Sequence, residues 1–142
     1  LRINPGQGKG MLAMGGETQF GMDPDTVLSI LLDVNHLSNI KIIGIHGYLG
    51  TQVLDWEIII RHSRQLLDIA DQLQKDTGEF FSFIDLGGGF GIPYHESDLP
   101  LSLKELNVGL FDWQTDMLRN IHLFKILLSN PDDFLSARLE CL

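Results

Sequence analysis

The sequence predicts an α/β fold, namely part of a (β/α)₈ barrel whose parallel strands carry glycine-rich loops on one rim. Short apolar segments alternate with helical patterns along the chain, and no β-hairpin signal separates them. This order is typical of parallel strands joined by helical crossovers. The glycine-rich loops all follow predicted strands, so they are expected at the same end of the sheet. A whole barrel needs about 250 residues, so a chain of 142 residues corresponds to about half of one.

Two strands and two helices are predicted in the amino-terminal half. The strands occupy residues 1–4 and 40–46. The first helix begins at Asp23 and Pro24, because aspartate can accept hydrogen bonds from free helical N–H groups and proline suits the first helical position. The second helix is predicted over residues 54–75. The apolar faces follow helical spacing and consist of Val27, Leu28, Leu31, Leu32 and Val34 in the first helix and Ile59, Leu66, Leu67, Ala70 and Leu73 in the second.

The carboxyl-terminal half adds a buried strand, a polar segment, a helix and a final strand. The buried strand covers residues 80–86, and residues 95–107 are polar and interrupted by proline. A helix is predicted over residues 111–128, ended by Pro131, and a last strand over residues 134–142. The apolar positions assigned to this helix are Leu118, Ile121, Phe124, Ile126 and Leu127.

The predicted strand over residues 80–86 ends in three consecutive glycines, Gly87, Gly88 and Gly89. Glycine leaves the backbone N–H groups bare and allows positive φ angles, so an anion can approach the backbone there. Ligands of α/β folds bind at the carboxyl ends of the strands, and phosphate is the usual anion. A plain tight turn is the alternative, but the apolar segment 90–94 that follows is unusual for a solvated turn. The glycine run is therefore the candidate phosphate site.

Composition and charge exclude several classes of function. The formal net charge of −9 argues against a nucleic-acid partner. No apolar run is long enough to span a bilayer, so we expect a soluble protein without a membrane partner. Cys141 is the sole cysteine of the sequence, which rules out an internal disulfide and fits the cytoplasm. Four histidines lack the spacing of metal ligands, namely His36, His62, His95 and His122, and His46 is expected to pack at a strand end near the rim, so no metal site is predicted.

Five segments of the chain occur in the same order in one known family, and residues 87–94 are the most specific of them. The other four cover residues 1–5, 8–11, 19–21 and 44–52. On these segments the sequence resembles the fold-type III pyridoxal-phosphate decarboxylases, which include diaminopimelate and ornithine decarboxylases. It is most similar to the specialised branch of acyl-carrier-protein-linked glutamate decarboxylases and exosortase-associated decarboxylases. The resemblance implies a barrel of the alanine racemase-like type, pyridoxal 5′-phosphate as cofactor, and release of CO₂ from an amino acid.

The resemblance also implies which residues hold the cofactor. In the family a glycine turn binds the cofactor phosphate through backbone N–H groups, which corresponds here to Gly87, Gly88 and Gly89. The hydroxyl residue of the family's Gly-Ser/Thr pair corresponds to Thr51, and the residue that stacks on the pyridine ring corresponds to Tyr48. The better-known decarboxylases have histidine at that position, and a tyrosine ring can stack but cannot supply an imidazole. Packing at the barrel rim is the alternative for Tyr48.

Glu140 is the candidate for the carboxylate that, in the family, keeps the pyridinium nitrogen protonated. The Gly-Arg that completes the family's motif does not follow it, and an ordinary glutamate at a strand end is the alternative. The Schiff-base lysine of the family lies upstream of anything that resembles residue 1, so we assign no catalytic residue. No lysine of this chain sits in a matching motif: Lys9, Lys41, Lys75, Lys104 and Lys125.

We expect residues 1–142 to be the central and carboxyl-terminal part of a pyridoxal-phosphate-binding barrel domain, cut from a longer protein and inactive alone. The amino-terminal barrel strands and a carboxyl-terminal β-domain are expected to be absent from the chain. In the family a cysteine and a tyrosine of that β-domain complete a dimeric active site, and Cys141 does not match that cysteine.

The resemblance implies an amino acid or a carrier-linked amino acid as substrate and a homodimer as the full-length assembly. Three alternatives stay open. They are a non-catalytic regulatory or pyridoxal-phosphate-binding homologue of the same barrel, an amino-acid racemase, and a phosphate-binding barrel without cofactor chemistry.

Overall fold

A computed structural model describes residues 1–5, 20–34, 36–118 and 125–127, and of residues 111–118 and 125–127 it describes the backbone. Strands and helices alternate along these residues. The elements are β1 (Arg2–Ile3), α1 (Pro24–Val34), β2 (Gly44–Gly47), α2 (Trp56–Thr77), β3 (Phe83–Asp85), α3 (Leu103–Leu118) and β4 (Lys125–Leu127). The alternation that the sequence predicts is therefore confirmed for the described part of the chain.

The described strands form one parallel sheet in the order β1-β2-β3-β4. The register pairs Arg2 with His46, His46 with Asp85, and Asp85 with Leu127. Because neighbouring strands run in the same direction, the loops that follow them lie at one edge of the sheet. The predicted parallel arrangement is confirmed. The four described strands do not close into a barrel, so the eight-stranded architecture stays a prediction.

One face of the sheet packs against α1 and α2. Ile3, Ile45 and Ile84 lie on this face of three adjacent strands and are at most 1% exposed. They belong to one buried cluster with residues of the two helices and of the strand ends: Val27, Leu31, Leu66, Leu67, Ala70, Leu73, Phe81 and Leu86. Full burial of such a side chain stabilises the fold by about 1.5–3 kcal/mol. The layer between sheet and helices is therefore the main hydrophobic core of the described residues.

Local capping explains where the first two helices begin. The Asp23 carboxylate accepts a hydrogen bond from the Thr26 N–H at 2.9 Å, and the Asp55 carboxylate accepts one from the Glu57 N–H at 2.8 Å. The start of α1 and the buried stripe of α2 agree with the prediction. The prediction for Leu32 is wrong, because this side chain is 54% exposed and lies on the side of α1 away from the core. None of the described helices has the apolar length that a membrane span requires.

The last helix begins earlier in the chain than predicted, and a strand that was not predicted follows it. α3 begins at Leu103 rather than residue 111, since Ser102 caps it by accepting a hydrogen bond from the Glu105 N–H at 3.4 Å. The apolar segment assigned to the carboxyl-terminal part of that helix instead contains β4, whose Ile126 pairs with Ile84 of β3. An apolar run of this kind fits a helix or a strand by pattern alone, and here its hydrogen bonding to β3 makes it a strand.

Two strands begin later than predicted. β2 begins at Gly44 rather than residue 40, and the preceding Ile40 and Ile43 are 58% and 47% exposed. β3 begins at Phe83 rather than residue 80. In both cases apolar residues precede the strand, and of these Ile43 still accepts a hydrogen bond from the N–H of Ser82 at 2.8 Å. The predicted strand over residues 134–142 lies outside the described residues.

Candidate functional site

Two loops meet at the carboxyl ends of β2 and β3. We name them the β2 loop, residues 48–55, and the β3 loop, residues 86–102. The N–H of Val53 donates to the carbonyl oxygen of Gly89 at 3.0 Å, and the N–H of Gly91 donates to the carbonyl oxygen of Val53 at 2.8 Å. These bonds form a parallel bridge, so the pairing of β2 with β3 resumes beyond the strands.

Two glycines of the β3 loop are required by its contact with the last residue of β2 and with the β2 loop. Gly87 and Gly89 have φ angles of 79° and 89°, a region that residues with a Cβ rarely adopt. A Cβ on Gly87 would lie 2.4 Å from the carbonyl oxygen of Gly47, and a Cβ on Gly89 would lie 1.8 Å from that of Gly50. The two backbones therefore touch directly, and the glycines place no side chain over their N–H groups.

The four predicted phosphate ligands lie together at this junction, and three of them have no hydrogen-bond partner among the described residues. These three are the N–H groups of Gly88 and Gly89 and the hydroxyl of Thr51. The Cα of Thr51 lies 3.4 Å from the position of a Cβ on Gly89, and the Thr51 side chain is exposed. The N–H of Gly87 differs, since it donates to Asp85 Oδ1 at 2.9 Å. Three donors are thus available to an anion.

Tyr48 follows β2 directly and is 42% exposed at the same end of the sheet. The guanidinium of Arg2 lies over its ring, with Cζ 4.8 Å from the centroid, and over the ring of Phe20 at 5.3 Å. Each such cation–π contact contributes about 0.5–1 kcal/mol at exposed sites. The stacking role of Tyr48 and the alternative of a packed rim residue both stay predictions. Sequence reasoning missed Arg2, because only the pairing of β1 with β2 brings it to Tyr48.

A polar row crosses the sheet next to this junction. Arg2, His46 and Asp85 are register partners on β1, β2 and β3. Since successive strand residues point to opposite faces, they lie on the face that α1 and α2 leave uncovered. Burial lowers the pKa of His46 below its usual value, the Asp85 carboxylate opposes this effect, and Arg2 lowers the pKa further. His46 is therefore neutral at pH 7 and offers one donor and one acceptor.

A second histidine, His62 of α2, lies behind β2 in the layer between helix and sheet. It is 7% exposed, and its Nε2 lies 3.1 Å from the position of a Cβ on Gly47. This nitrogen has no hydrogen-bond partner among the described residues. Burial, and secondarily the charge of His46, lowers the pKa of His62 to about 4. Sequence reasoning gave His62 no role, although its place on the buried stripe between Ile59 and Leu66 was the signal that it packs.

Glu140 and Cys141 lie outside the described residues, so the role of Glu140 stays a prediction. Within the described ranges, no group of three or more histidine, cysteine, aspartate or glutamate side chains is arranged to hold a metal ion. The described part of the predicted site consists of Tyr48, Thr51 and the glycine turn. The fold brings all of them to one end of the sheet.

A parallel sheet with free N–H groups in a glycine turn at its carboxyl edge is typical of α/β domains that bind phosphorylated ligands. Residues 1–129 match the pyridoxal-binding domain of the pyridoxal-dependent decarboxylases. Because this match covers most of the chain, the chain belongs to the pyridoxal-dependent decarboxylase family. The family resemblance predicted from the sequence, and pyridoxal phosphate as the cofactor of that family, are confirmed.

The chain is similar to several curated decarboxylases. It is 35% identical over 116 residues to the L-glutamyl-[BtrI acyl-carrier protein] decarboxylase of Niallia circulans, which covers 80% of this chain and 27% of that protein. It is also 35% identical over 110 residues to the diaminopimelate decarboxylase of Thermoplasma acidophilum, which covers 75% of this chain and 27% of the relative. The chain therefore spans about a quarter of the length of these relatives.

Solved structures of diaminopimelate decarboxylases share the fold. The enzyme from Helicobacter pylori complexed with L-lysine matches with a TM-score of 0.69 and 26% identity, over 89% of this chain and 32% of that chain. The enzyme from M. jannaschii matches with a TM-score of 0.76 and 22% identity, over 89% of this chain and 30% of that chain. Because the identity to the M. jannaschii enzyme is only 22%, that match supports the fold alone.

Proposed function

We propose that this chain is the central part of the cofactor-binding barrel domain of a pyridoxal-phosphate-dependent amino-acid decarboxylase. In this proposal residues 1–142 belong to a longer protein, whose other parts provide the Schiff-base lysine, the remaining barrel strands and a carboxyl-terminal β-domain. The observation that carries the proposal is the set of three donors, on Gly88, Gly89 and Thr51, that have no partner within the described residues. The family match supports it.

The donors at the junction of the two loops suit the chemistry of a phosphate group. Phosphate oxygens accept several hydrogen bonds, and each bond to a charged group contributes about 1.5–3 kcal/mol. Gly88 and Gly89 donate backbone N–H groups without a side chain to obstruct them, and the Thr51 hydroxyl rotates to suit its acceptor. The bond from the Gly87 N–H to Asp85 fixes the start of the turn, which keeps the next two N–H groups in place.

When bound, the cofactor supplies an electron sink for the electron pair that remains as a substrate carboxylate leaves as CO₂. The residues of this chain bind and orient it. Gly88, Gly89 and Thr51 hold its phosphate. Arg2 covers one face of the Tyr48 ring, so the other face is the one on which the pyridine ring stacks. By the family resemblance, Glu140 keeps the pyridinium nitrogen protonated.

The proposed substrate is an amino acid or a carrier-linked amino acid. The motivation is that the similar proteins include a diaminopimelate decarboxylase and an L-glutamyl-acyl-carrier-protein decarboxylase. We further propose a cytoplasmic homodimer in which the β-domain of one subunit completes the site of the other, as the resemblance implies. The net charge of −9 makes nucleic acid an unsuitable partner.

The proposal is tested with the purified longer protein that contains this chain. It is expected to show a visible absorption band with pyridoxal phosphate that borohydride abolishes. It is also expected to release CO₂ from one member of a panel of acidic and basic amino acids, free or carrier-linked. Thr51→Val is expected to weaken pyridoxal phosphate binding about tenfold by removing one hydrogen bond, and to leave binding of pyridoxal unchanged. The proposal would be refuted if the band were absent, or if no member of the panel released CO₂.

A further inference from the structure

Gln52 has an unusual backbone conformation for its residue type. It lies in the β2 loop between Thr51 and Val53, with a φ angle of 61°, and it is the one non-glycine among the described residues with a positive φ. For a residue with a Cβ this conformation costs about 1–2 kcal/mol. A non-glycine in this region persists only where its surroundings hold it there. The side chain of Gln52 is therefore the place to look for compensating contacts.

The carboxamide of Gln52 pairs with the backbone N–H and C=O of a single residue of the β3 loop, Ile92. Its Nε2 donates to the carbonyl oxygen of Ile92, and its Oε1 accepts from the N–H of Ile92 at 3.3 Å. A backbone neighbour in a sheet would occupy the same two groups. These two hydrogen bonds therefore extend the pairing that Val53 forms with Gly89 and Gly91.

The hydrogen bonds between Gln52 and Ile92 hold the two loops together next to the phosphate donors. A Cβ on Gly91 would lie 2.9 Å from the carbonyl carbon of Gln52, so the two backbones are already in close contact there. Thr51 precedes Gln52 directly, and Gly89 lies three residues before Ile92. The separation between the Thr51 hydroxyl and the glycine N–H groups therefore depends on the pair of hydrogen bonds between Gln52 and Ile92, which we call the clasp.

We propose that Gln52 is a positioning residue of the phosphate site, whose carboxamide holds Thr51 and the glycine turn at the spacing a phosphate requires. This inference rests on the proposed function and deepens it. Gln52 touches no ligand in this role and acts through Thr51, Gly88 and Gly89. Its unfavourable φ is tolerated because the two hydrogen bonds to Ile92 require the long side chain at this position.

Two substitutions separate the side chain from the backbone conformation. Gln52→Asn keeps a carboxamide and suits a positive φ, but its side chain is one methylene shorter and does not reach Ile92. Gln52→Gly removes the unfavourable φ entirely. If the backbone conformation alone mattered, both variants would bind the cofactor as well as the wild type. Gln72→Asn is the matched control, because it makes the same change on the exposed face of α2.

The measurement is the dissociation constant of the cofactor-free longer protein for pyridoxal phosphate and for pyridoxal, which lacks the phosphate. Gln52→Asn and Gln52→Gly are expected to weaken pyridoxal phosphate binding about tenfold, the equivalent of one or two hydrogen bonds. Pyridoxal binding is expected to change less than about twofold, and Gln72→Asn to change neither. Gln52→Glu, which cannot donate to the Ile92 carbonyl, provides a third variant should the other two fail to fold.

The outcomes distinguish this inference from the proposed function. A wild type that prefers pyridoxal phosphate, with variants that retain the same preference, would overturn the role of Gln52 and leave the phosphate site intact. Equal weakening of both ligands would also overturn it, because the clasp would then be a general support of the loops. A wild type that binds the two ligands equally would refute the phosphate site itself and the inference with it.

Discussion

Gly89→Ala is expected to damage the junction of the two loops more than an ordinary glycine substitution would. Two separate costs act at this position. The φ angle of 89° is unfavourable for alanine, by about 1–2 kcal/mol. The new Cβ would lie 1.8 Å from the carbonyl oxygen of Gly50, where ordinary contact begins at 3.4 Å. The β2 loop must therefore retreat by roughly 1.6 Å, the difference between these distances.

The retreat has a predictable size in both stability and binding. Forcing extra atoms into a packed site costs about 1–3 kcal/mol, so the expected loss in the free energy of unfolding is about 2–5 kcal/mol with the conformational cost included. The retreat also moves Thr51 away from the N–H groups of Gly88 and Gly89. Losing two bonds to the phosphate, about 3 kcal/mol, would weaken pyridoxal phosphate binding by about a hundredfold.

Gly78 provides the matched control for this substitution. It ends α2 with a φ angle of 72°, and no heavy atom lies within 4 Å of its Cβ position. Gly78→Ala therefore carries the conformational cost alone, about 1–2 kcal/mol, with no effect on cofactor binding. Urea unfolding followed by circular dichroism and titration with pyridoxal phosphate measure the two effects. Equal losses for Gly78→Ala and Gly89→Ala would refute the reasoning from the Gly50 contact.

Substitutions at three further positions test packing, stacking and capping. Because burial lowers the pKa of His62 from 6.5 to about 4, the unfolded chain binds a proton there at a higher pH than the folded protein does. The free energy of unfolding is therefore highest above pH 6.5 and decreases, on the order of 3 kcal/mol in all, as the pH falls towards 4. His62→Leu should remove this loss in urea unfolding at neutral and acidic pH, and an unchanged pH dependence would contradict the assignment. Tyr48→Leu should weaken pyridoxal phosphate binding about three- to tenfold while Tyr48→His retains it, as ring stacking requires; equal titrations would exclude stacking. Ser102→Ala should lower the free energy of unfolding by about 1 kcal/mol, and no change would contradict the cap.

Features that depend on a few neighbouring residues were predictable from the sequence. The start of α1 follows from Asp23 and Pro24, because the capping bond reaches only to Thr26. The buried stripe of α2 follows from helical periodicity, and the glycine turn from the positive φ that glycine alone adopts freely. These interactions span one or two helical turns at most, so composition and spacing contain the information they need.

The last part of the chain shows where local patterns were insufficient. The apolar run around Ile126 fits a helix and a strand equally well by pattern, and its pairing with Ile84 makes it a strand. Leu32 fits the apolar face of α1 by spacing, but the sheet covers only the side that carries Val27 and Leu31. In both cases the secondary structure or the burial of the residue depends on which element of the fold packs against it, and local sequence patterns do not contain this information.

The chemistry at the carboxyl edge of the sheet divides in the same way. The sequence alone determined that this chain has a glycine turn, a hydroxyl residue and an aromatic residue after its strands. Three contacts became visible in the folded chain alone: Arg2 covers Tyr48, the Gln52 side chain meets Ile92, and the backbone of Gly89 touches that of Gly50. These contacts join residues of different strands and loops, and they exist because parallel pairing brings distant strand ends to one edge. Neither member of such a pair carries a local signal for the other, so their meeting is a property of the fold.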